Sequence, residues 1–240
     1  MSQTVNSYET ATVEQGANKQ VPFAIVEAYK TIRTNLMFMM TQSNKKCITV
    51  SSSLSGEGKS TSVVNIAIAF SQLGCKVLVI DADLRKPTIY KKLKVANIKG
   101  LSSVLVGFCT AKEAISEINS NLDVLTSGPI PPNPSELLGS ENMSVLLDAL
   151  QAEYEYIIID TPPINIVSDA LVLAPKTNGI VLVTKGGRTT HDQIKKTLNS
   201  INFANVKILG VVMNGASKKS IYSEYRNKHR YNYNYNNTYR

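Results

Sequence analysis

The chain has 240 residues, 43% of them hydrophobic and 18% charged, which favours one compact domain with a core of ordinary size over two full domains. Its polar first twenty residues predict no secretory signal peptide, and no apolar run approaches the roughly 18 to 20 residues of a membrane span. Cys47, Cys75 and Cys109 are widely spaced and indicate neither a disulfide framework nor a zinc site, so a reducing cytoplasm is expected.

The formal charge of +8 is unevenly distributed along the chain. Residues 216–240 hold six Lys or Arg and one Glu, a net charge of +5, which leaves +3 for the other 215 residues. A basic chain suggests nucleic acid or an anionic membrane as a partner. Because the excess lies mainly in this terminal segment, the body of the chain gives little support to either.

The first predicted element is a helix within residues 21–42, after a flexible segment 1–20. Five apolar residues at helical spacing predict a face that packs on the body: Ile25, Tyr29, Ile32, Leu36 and Met40. Glu27, Lys30 and Arg33 are expected on the opposite, polar side.

Six short runs rich in β-branched residues follow, at 47–52, 77–81, 122–127, 156–160, 179–184 and 207–214. Most are uninterrupted rather than alternating, as in strands buried on both faces. Helical patterns lie between them, so the sequence predicts an α/β fold with a mostly parallel sheet and helices on both faces. The proline-rich segment 128–134 is expected to be a rigid surface loop before a helix. Residues 216–240 contain almost no aliphatic side chains and are predicted to be disordered.

A phosphate-binding loop is predicted at Ser53-Leu54-Ser55-Gly56-Glu57-Gly58-Lys59-Ser60-Thr61, which fits GxxxxGK[ST] except that Ser53 replaces the first glycine. The glycines let backbone amides approach phosphate oxygens, the lysine contacts the outer phosphates, and the hydroxyl that follows binds Mg²⁺. Lys59 is expected on an exposed loop. The alternative is a glycine-rich turn that binds nothing. The predicted nucleotide-binding residues are Ser55, Gly56, Glu57, Gly58, Lys59, Ser60 and Thr61.

Two later strands end in acidic residues, one at Asp81 and Asp83 and the other at Asp160. Ligands of open parallel sheets bind beyond the carboxyl ends of the strands, so these side chains should converge on the phosphate loop. Carboxylates gathered there need a cation, and nucleotide-bound Mg²⁺ is the natural one. A lone aspartate at a strand end is otherwise a turn cap.

The combination of SGEGKST, VLVIDADLR and YEYIIIDTPP resembles the bacterial tyrosine kinases of capsular and exopolysaccharide gene clusters, the BY-kinases of the CpsD and Wzc type. The likeness runs from the EAYKTIRTNL helix through GPIPPNPSELLGS to the tyrosine-rich end. It implies a P-loop kinase domain over residues 21–215, with ATP and Mg²⁺ as cofactors. Lys59 would contact the β and γ phosphates, and Ser60 would bind Mg²⁺.

The resemblance also implies roles for the acidic residues. Asp81 and Asp83 would be the catalytic and metal-organising carboxylates, and Asp160 would hold the metal through water. Asp81 is the candidate base that accepts the tyrosine proton, or it is chiefly a metal ligand. Asn214, at the end of the last strand, is a candidate adenine contact or a simple turn residue.

An assembly motif of the family, Glu and two Arg at three-residue spacing, reads here Glu27, Lys30 and Arg33. Lys30 keeps the charge but lacks the planar guanidinium that binds a carboxylate with two hydrogen bonds. The resemblance implies a homo-oligomer such as a ring of subunits. A merely solvated helix face is the alternative.

Six of the eleven tyrosines stand in the last 19 residues. They are the predicted phosphoacceptors: Tyr222, Tyr225, Tyr231, Tyr233, Tyr235 and Tyr239. A kinase acting between subunits needs such a tail, and we expect its basic residues to draw it towards an active site lined by carboxylates. A partition ATPase of the ParA and MinD type has no use for terminal tyrosines, and its extra loop lysine is Leu54 here. Base stacking on the tail tyrosines is a third hypothesis, but nucleic acid is not expected as the main partner.

The resemblance further implies a cytoplasmic kinase that a membrane adaptor recruits and activates. Through it the kinase would control polysaccharide polymerisation or export. Other protein substrates with tyrosines are also compatible with this reading.

Overall fold

A seven-stranded sheet organises the computed structural model, which describes residues 22–43 and 46–215. The strands are β1 Cys47–Ser52, β2 Val77–Asp81, β3 Ile115–Asn119, β4 Leu122–Leu125, β5 Tyr156–Asp160, β6 Ile180–Lys185 and β7 Ile208–Asn214. Their order across the sheet is β3-β4-β2-β5-β1-β6-β7, and every pairing is parallel except that of β3 with β4. The predicted α/β class with a mostly parallel sheet is confirmed.

Helices cover both faces of this sheet. They are α1 Phe23–Met39, α2 Lys59–Ser71, α3 Ile89–Leu93, α4 Leu101–Leu105, α5 Ala111–Ala114, α6 Pro134–Gly139, α7 Glu141–Glu153, α8 Asp169–Leu173 and α9 His191–Phe203. A 3-10 turn over Ala174–Lys176 follows α8. The predicted flexible segment 1–20 and the predicted disordered segment 216–240 lie outside the described residues.

The uninterrupted apolar runs follow from burial on both faces of the central strands. In β5, Ile158 packs with residues of α2 in one core cluster, whereas Ile157 and Ile159 pack with residues of α7 in another. Successive side chains of a strand point to opposite faces, so a strand between two helical layers needs an apolar residue at every position.

Strand β3 was missed by the sequence analysis, which predicted six strands. It lies at the edge of the sheet, pairs antiparallel with β4, and its register shifts between Glu117 and Asn119. None of its five residues is fully buried. An edge strand exposed in this way needs no continuous apolar run, so its sequence ISEIN resembles that of a loop.

Helix α1 docks on the body largely as predicted. Leu36 and Met40 are buried, and Tyr29 and Ile32 pack against the same cluster. Ile25, however, remains 44% exposed, so the apolar face is shorter than expected.

The predicted placement of Arg33 on the outer face of α1 is wrong. Its Nη1 donates to the carbonyl oxygen of Ala69 in α2 at 2.8 Å, and its Nε is buried. The ammonium of Lys30 instead pairs with Glu27 at 2.7 Å, and both of these side chains stay partly exposed. Arg33 therefore joins α1 to α2, and the exposed polar pair is Glu27 with Lys30.

Candidate active site

The phosphate loop occupies the turn between β1 and α2, and α2 begins at Lys59 as the motif predicts. Gly56 and Gly58 have φ angles of +78° and +91°, in the left-handed region that glycine adopts without a Cβ clash. A Cβ on Gly58 would also lie 2.4 Å from Asn214 Nδ2. Glycine at position 58 therefore satisfies both the turn and the close approach of β7.

Two side chains, those of Glu57 and Asn214, form hydrogen bonds that position this loop. The carboxylate of Glu57 is fully buried, accepts a hydrogen bond from the Leu54 amide at 2.8 Å, and accepts another from the Thr189 hydroxyl. Asn214 donates its side-chain amide to the Glu57 carbonyl oxygen at 2.9 Å and lies 3.2 Å from Ser62 Oγ. The side chains of Glu57 and Asn214 thus position the loop, and the predicted contact of Asn214 with adenine stays a prediction.

Lys59 lies at the centre of the site. Its ammonium is 2.8 Å from Asp83 Oδ2, 3.3 Å from Asp160 Oδ1 and 3.3 Å from Ser60 Oγ. Burial by itself lowers the Lys59 pKa, but Asp160 and Asp83 outweigh it and raise the pKa to about 12. The residue is only 9% exposed, so the expectation of an exposed loop lysine is wrong.

Asp160 is fully buried at the end of β5, beside the first turn of α2. Its Oδ2 has no hydrogen-bond partner within the described part of the chain. Burial raises the pKa of this carboxyl, and the charge of Lys59 opposes that rise. A buried carboxylate oxygen without a partner is costly unless a cation or a proton reaches it.

The predicted convergence of strand ends is seen directly in the sheet register. Asp81 at the end of β2 lies opposite Asp160 at the end of β5. The carboxylate of Asp81 is nevertheless occupied, because it accepts hydrogen bonds from the backbone amides of Asp83, Thr88 and Ile89 at 3.0 to 3.2 Å. Burial and the neighbouring Asp160 raise the pKa of Asp81. Asp83, by contrast, lines the cavity in front of Lys59.

The residues present fit a Mg²⁺ ion that arrives with a nucleotide. Residues 22–43 and 46–215 contain no group of three Asp, Glu, His or Cys side chains arranged to hold a metal by themselves. Mg²⁺ in phosphate-transfer sites usually takes one or two carboxylates together with phosphate oxygens and water. Ser60 and the unpartnered oxygen of Asp160 offer that partial set, and Asp83 lies beside them.

An open cavity of about 750 Å³ spreads in front of these residues. It is lined by Ser55, Gly56, Gly58, Lys59, Ser60, Thr61, Asp83, Arg85, Lys86, Thr88, Lys91, Lys92, Pro162, Pro163, Ile166, Val167 and Lys185. The cavity thus brings together all the predicted nucleotide-binding residues of the loop except Glu57, whose side chain is buried. Asp83 is the single acid among these lining residues, whereas Asp81 and Asp160 are buried, so the expectation of an active site lined by carboxylates is met at Asp83 alone.

Arg85 holds the loop that carries Asp83. Its guanidinium donates from Nε and Nη2 to the two carboxylate oxygens of Asp169 at 2.8 and 3.0 Å, and Nη2 also donates to Ser135 Oγ at 3.1 Å. Asp169 is fully buried at the start of α8. The DADLR run contains Arg85, but its pattern predicts no role for that residue, and nothing in the sequence marks Asp169 as its partner.

The predicted assembly residues lie on α1 and do not line the cavity. The six predicted phosphoacceptor tyrosines lie outside the described residues. Both assignments stay predictions.

This geometry defines a class of protein. A buried lysine at the start of a helix, a glycine loop after a parallel strand and carboxylates at the ends of neighbouring strands form the site of P-loop nucleotide-binding proteins. Such a site handles nucleotide phosphates.

The comparisons with known proteins narrow the class. The AAA domain family matches residues 45–207. Tyrosine-protein kinase YwqD of Bacillus subtilis is 46% identical over 200 residues, which are 83% of this chain and 84% of that protein. The crystal structure of the chimerical protein CapA2B2 has a TM-score of 0.78 and 39% identity, covering 88% of this chain and 92% of that one.

The kinase domain of Escherichia coli tyrosine kinase ETK gives a TM-score of 0.76 and 32% identity over 85% of each chain. The chain therefore belongs to the bacterial tyrosine kinases, and it is a tyrosine-protein kinase. A plasmid partition protein from Borrelia burgdorferi, at 20% identity and a TM-score of 0.57, shares the fold alone. The partition-type alternative is thus only distantly supported.

Within the described ranges, no helix combines the length and the apolar character that crossing a membrane requires.

Proposed function

We propose that this kinase transfers the γ-phosphoryl group of ATP to its own C-terminal tyrosines, between subunits of a homo-oligomer. The observation that carries the proposal is where the tail begins. Asn214, the last residue of β7, donates to the Glu57 carbonyl of the phosphate loop, and the Gly186 amide donates to the Asn214 carbonyl at 2.8 Å. The last described residues before the segment with six tyrosines therefore lie beside the phosphate loop.

The reach of the tail supports transfer to a neighbouring subunit. Residue 231 follows residue 216 by 15 positions. If flexible, such a segment spans roughly 20 to 25 Å on average and at most about 50 Å. That distance is long enough to leave one subunit and enter the cavity of the next.

The tyrosines of the described body are poorer acceptors. Tyr156 is 3% exposed and its ring stacks on Phe70, and Tyr154 is 7% exposed and donates its hydroxyl to Asp123 at 2.7 Å. Phosphorylation of either would require the body to open. Tyr29 and Tyr90 are half-buried. Six of the eleven tyrosines stand in the C-terminal segment, which supports that segment as the main acceptor.

Catalysis of phosphoryl transfer depends mainly on positioning the reactants and neutralising charge, and different residues of the site contribute to each. Lys59, released from its ion pairs, contacts the outer phosphates, and the amides of the loop hold the phosphate oxygens. Mg²⁺, when bound through Ser60 and Asp160, supplies neutralisation of the charge on the transferring group. The tyrosine hydroxyl would lose its proton to a carboxylate. We assign this step to Asp83, which lines the cavity, in place of the predicted base Asp81, whose carboxylate accepts three backbone hydrogen bonds.

Magnesium and ATP are supported as cofactors by the shared fold. Cobyrinic acid a,c-diamide synthase from Mycobacterium smegmatis, with bound ATP analog and magnesium, has a TM-score of 0.62 at 17% identity. The fold of this chain therefore suits such ligands, and the unpartnered oxygen of Asp160 supports the metal from the chain's own side.

The cellular role we infer is control of capsular or exopolysaccharide synthesis or export. A membrane adaptor would recruit the kinase to the inner face of the cell membrane and activate it. Other proteins with accessible tyrosines would be further substrates. Support comes from relatives such as tyrosine-protein kinase CpsD of Streptococcus agalactiae, 36% identical over 84% of this chain.

Mass spectrometry after incubation of the purified full chain with Mg²⁺ and ATP tests the proposal. We expect phosphate on several of the tyrosines from Tyr222 to Tyr239 and none in a Lys59→Met control. An adaptor peptide, where one is available, should raise the yield. Phosphate found mainly on Tyr29 or Tyr90 would contradict the role of the tail.

A further inference from the structure

One side of the active-site cavity is apolar. It is formed by four residues that follow β5, which we call the apolar wall: Pro162, Pro163, Ile166 and Val167. The two prolines are buried and Val167 is half-buried, whereas Ile166 is 57% exposed. A single isoleucine exposed to this degree is common on an open protein surface. Here, however, it lies beside three other apolar residues in the cavity that contains the phosphate loop.

The fold holds the apolar wall in place before any ligand binds. The amides of Ile166 and Val167 both donate to the carbonyl oxygen of Pro163, at 3.1 and 3.3 Å. The amide of Ile164 donates to the carbonyl oxygen of Ser52 in β1 at 2.9 Å, and its side chain is buried in a cluster with residues of α8 and α9. A surface that is fixed in this way loses little conformational entropy when a ligand packs against it.

The apolar wall lies near the place where the metal and the outer phosphates would be held. Pro162 follows Asp160 by two residues, so their Cα atoms are at most about 7.6 Å apart. Asp160 and Ser60 are the residues that fit Mg²⁺, and the Lys59 ammonium lies 3.3 Å from each of them. The base of ATP is at the opposite end of the nucleotide from the γ-phosphate. The wall is therefore placed for the group that approaches the γ-phosphate, and not for the base.

The polar groups of the site are recessed below the surface. Lys59 is 9% exposed and Asp83 is 4% exposed. The hydroxyl of serine or threonine is attached directly to Cβ, so it would reach these groups only if the backbone of the acceptor entered the cavity. The hydroxyl of tyrosine is at the far end of an aromatic ring, and the ring needs an apolar surface beside it.

We propose that the apolar wall binds the ring of the acceptor tyrosine, with its hydroxyl towards Asp83, and that Ile166 is the main contact. Ile166 is assigned this role because it has the most apolar surface left to bury. The inference rests on the proposed phosphoryl transfer in this cavity, but it holds for any acceptor tyrosine. The wall would favour tyrosine over serine and threonine, because their side chains are too short to cover it.

Steady-state kinetics with two acceptors test the inference. The enzyme is the full-length chain with Ala at all six tail tyrosines, so that its own tail supplies neither a hydroxyl nor a ring. One acceptor is a synthetic peptide of residues 216–240, which is basic, and the other is a random copolymer of glutamate and tyrosine, which is acidic. The feature that they share is the tyrosine side chain. The KM for each acceptor and the KM for ATP are measured.

We expect Ile166→Ala to raise the KM for both acceptors at least about fivefold, because three carbon atoms of apolar contact are lost. The KM for ATP should stay within about twofold. Ile166→Leu keeps the apolar volume and should restore the KM for both acceptors to within about twofold. The matched control is Ile98→Ala, which truncates an isoleucine that is 80% exposed outside the cavity, and it should leave all of these values unchanged.

An unchanged KM for both acceptors in Ile166→Ala would overturn the inference. A rise in the KM for ATP alone would also overturn it, because the wall would then contact the nucleotide. If the copolymer is phosphorylated and the 216–240 peptide is not, the tail fails as the acceptor, whereas the KM for the copolymer still tests the wall. Failure of the proposed function and failure of this inference are thereby distinguished.

A double-mutant cycle tests the contact without catalysis. The chain with Ala at its tail tyrosines is saturated with Mg²⁺ and a non-hydrolysable ATP analogue, and fluorescence anisotropy measures binding of two 216–240 peptides. One peptide carries Phe at all six tyrosine positions and the other carries Ala. The Phe peptide should bind at least about fivefold more tightly, and Ile166→Ala should remove most of that difference. An equal difference in both chains would contradict a contact between the ring and Ile166.

Discussion

The centre of the active site and the exposed part of the cavity lining contain charged side chains in opposite settings. At the centre, Lys59, Asp81 and Asp160 are buried, and each of them lies close to a charged or hydrogen-bonding group of the fold. Around it, Lys86, Lys91 and Lys185 also line the cavity but are exposed, and no described carboxylate forms an ion pair with them. Buried charges depend on every neighbour, whereas exposed charges act independently and are screened by salt.

This contrast separates two kinds of function. The centre fixes geometry for phosphoryl transfer, so changes there should lower activity, and those that leave a buried polar group without a partner should also lower stability. The exposed lysines contribute to the electrostatic potential around the cavity but are not part of that geometry, so changes there should have little effect on stability. The following predictions test this contrast, from the largest expected effect to the smallest.

Lys59→Met should have the largest effect, a loss of phosphotyrosine of at least about 1,000-fold, because the lysine neutralises charge on the transferring group. Removing one partner of a buried ion pair should also lower the free energy of unfolding by about 3 kcal/mol. Immunoblotting for phosphotyrosine and urea unfolding measure the two effects. Lys99→Met, at an exposed lysine outside the cavity, is the control and should change neither.

The aspartates should respond differently to the same change. Asp160→Asn should cut activity by about 100-fold and weaken the response to Mg²⁺, while the nucleotide-free protein keeps its stability because a buried charge is removed. Asp81→Asn should lose activity and also about 1 to 3 kcal/mol of stability, since an amide NH₂ would face backbone donors. Magnesium titrations and thermal unfolding separate the two variants. Equal stability losses would argue against the assigned hydrogen bonds of Asp81.

The stability of the nucleotide-free protein should depend on pH through the buried carboxyls. Burial and Asp160 raise the pKa of Asp81 to about 8 from an ordinary value of 3.8. Between these values the folded state holds a proton that the unfolded state has lost, so stability falls as pH rises from about 4 to about 8. Urea midpoints at pH 5, 6, 7 and 8 should show a shallower fall in Asp160→Asn. Identical slopes would contradict this coupling.

Helix α1 also combines a polar contact in the interface with α2, made by Arg33, with a more exposed pair, Glu27 with Lys30. Arg33→Ala should destabilise the protein by about 1 to 2 kcal/mol, because it removes the hydrogen bond to the Ala69 carbonyl. Glu27→Ala breaks only the partly exposed pair with Lys30 and should cost less than about 0.5 kcal/mol. If Glu27 also serves assembly, that variant should lower the oligomer mass by light scattering without loss of folding. A monomer before and after the change would indicate a merely solvated face.

Much of this architecture could be predicted from the sequence. The central strands are continuous apolar runs because both of their faces are buried, and the phosphate loop carries fixed residue types at fixed spacing. Strand β3 could not be predicted in this way, because it is half exposed and lies at the edge of the sheet, where it pairs with β4 alone.

The sequence does contain a signal for the position of Arg33, although the charge of the residue obscures it. It is four residues after Tyr29 and three before Leu36, so helical spacing places it on the docked face, although its charge suggests solvent. The pairing of Arg85 with Asp169 joins residues 84 positions apart, and no local pattern contains that information. The basic character of the cavity likewise depends on which lysines the fold brings together.

A mixing experiment tests most directly the central claim that the tail is modified between subunits. The full-length Lys59→Met chain, which keeps its tail tyrosines, is incubated with Mg²⁺, ATP and a chain whose six tail tyrosines are replaced by Phe. Mass spectrometry then locates phosphate on each chain. We expect phosphate on the tail of the Lys59→Met chain, supplied by the active site of its partner. Absence of phosphate there, while the wild-type chain alone phosphorylates its tail, would contradict transfer between subunits.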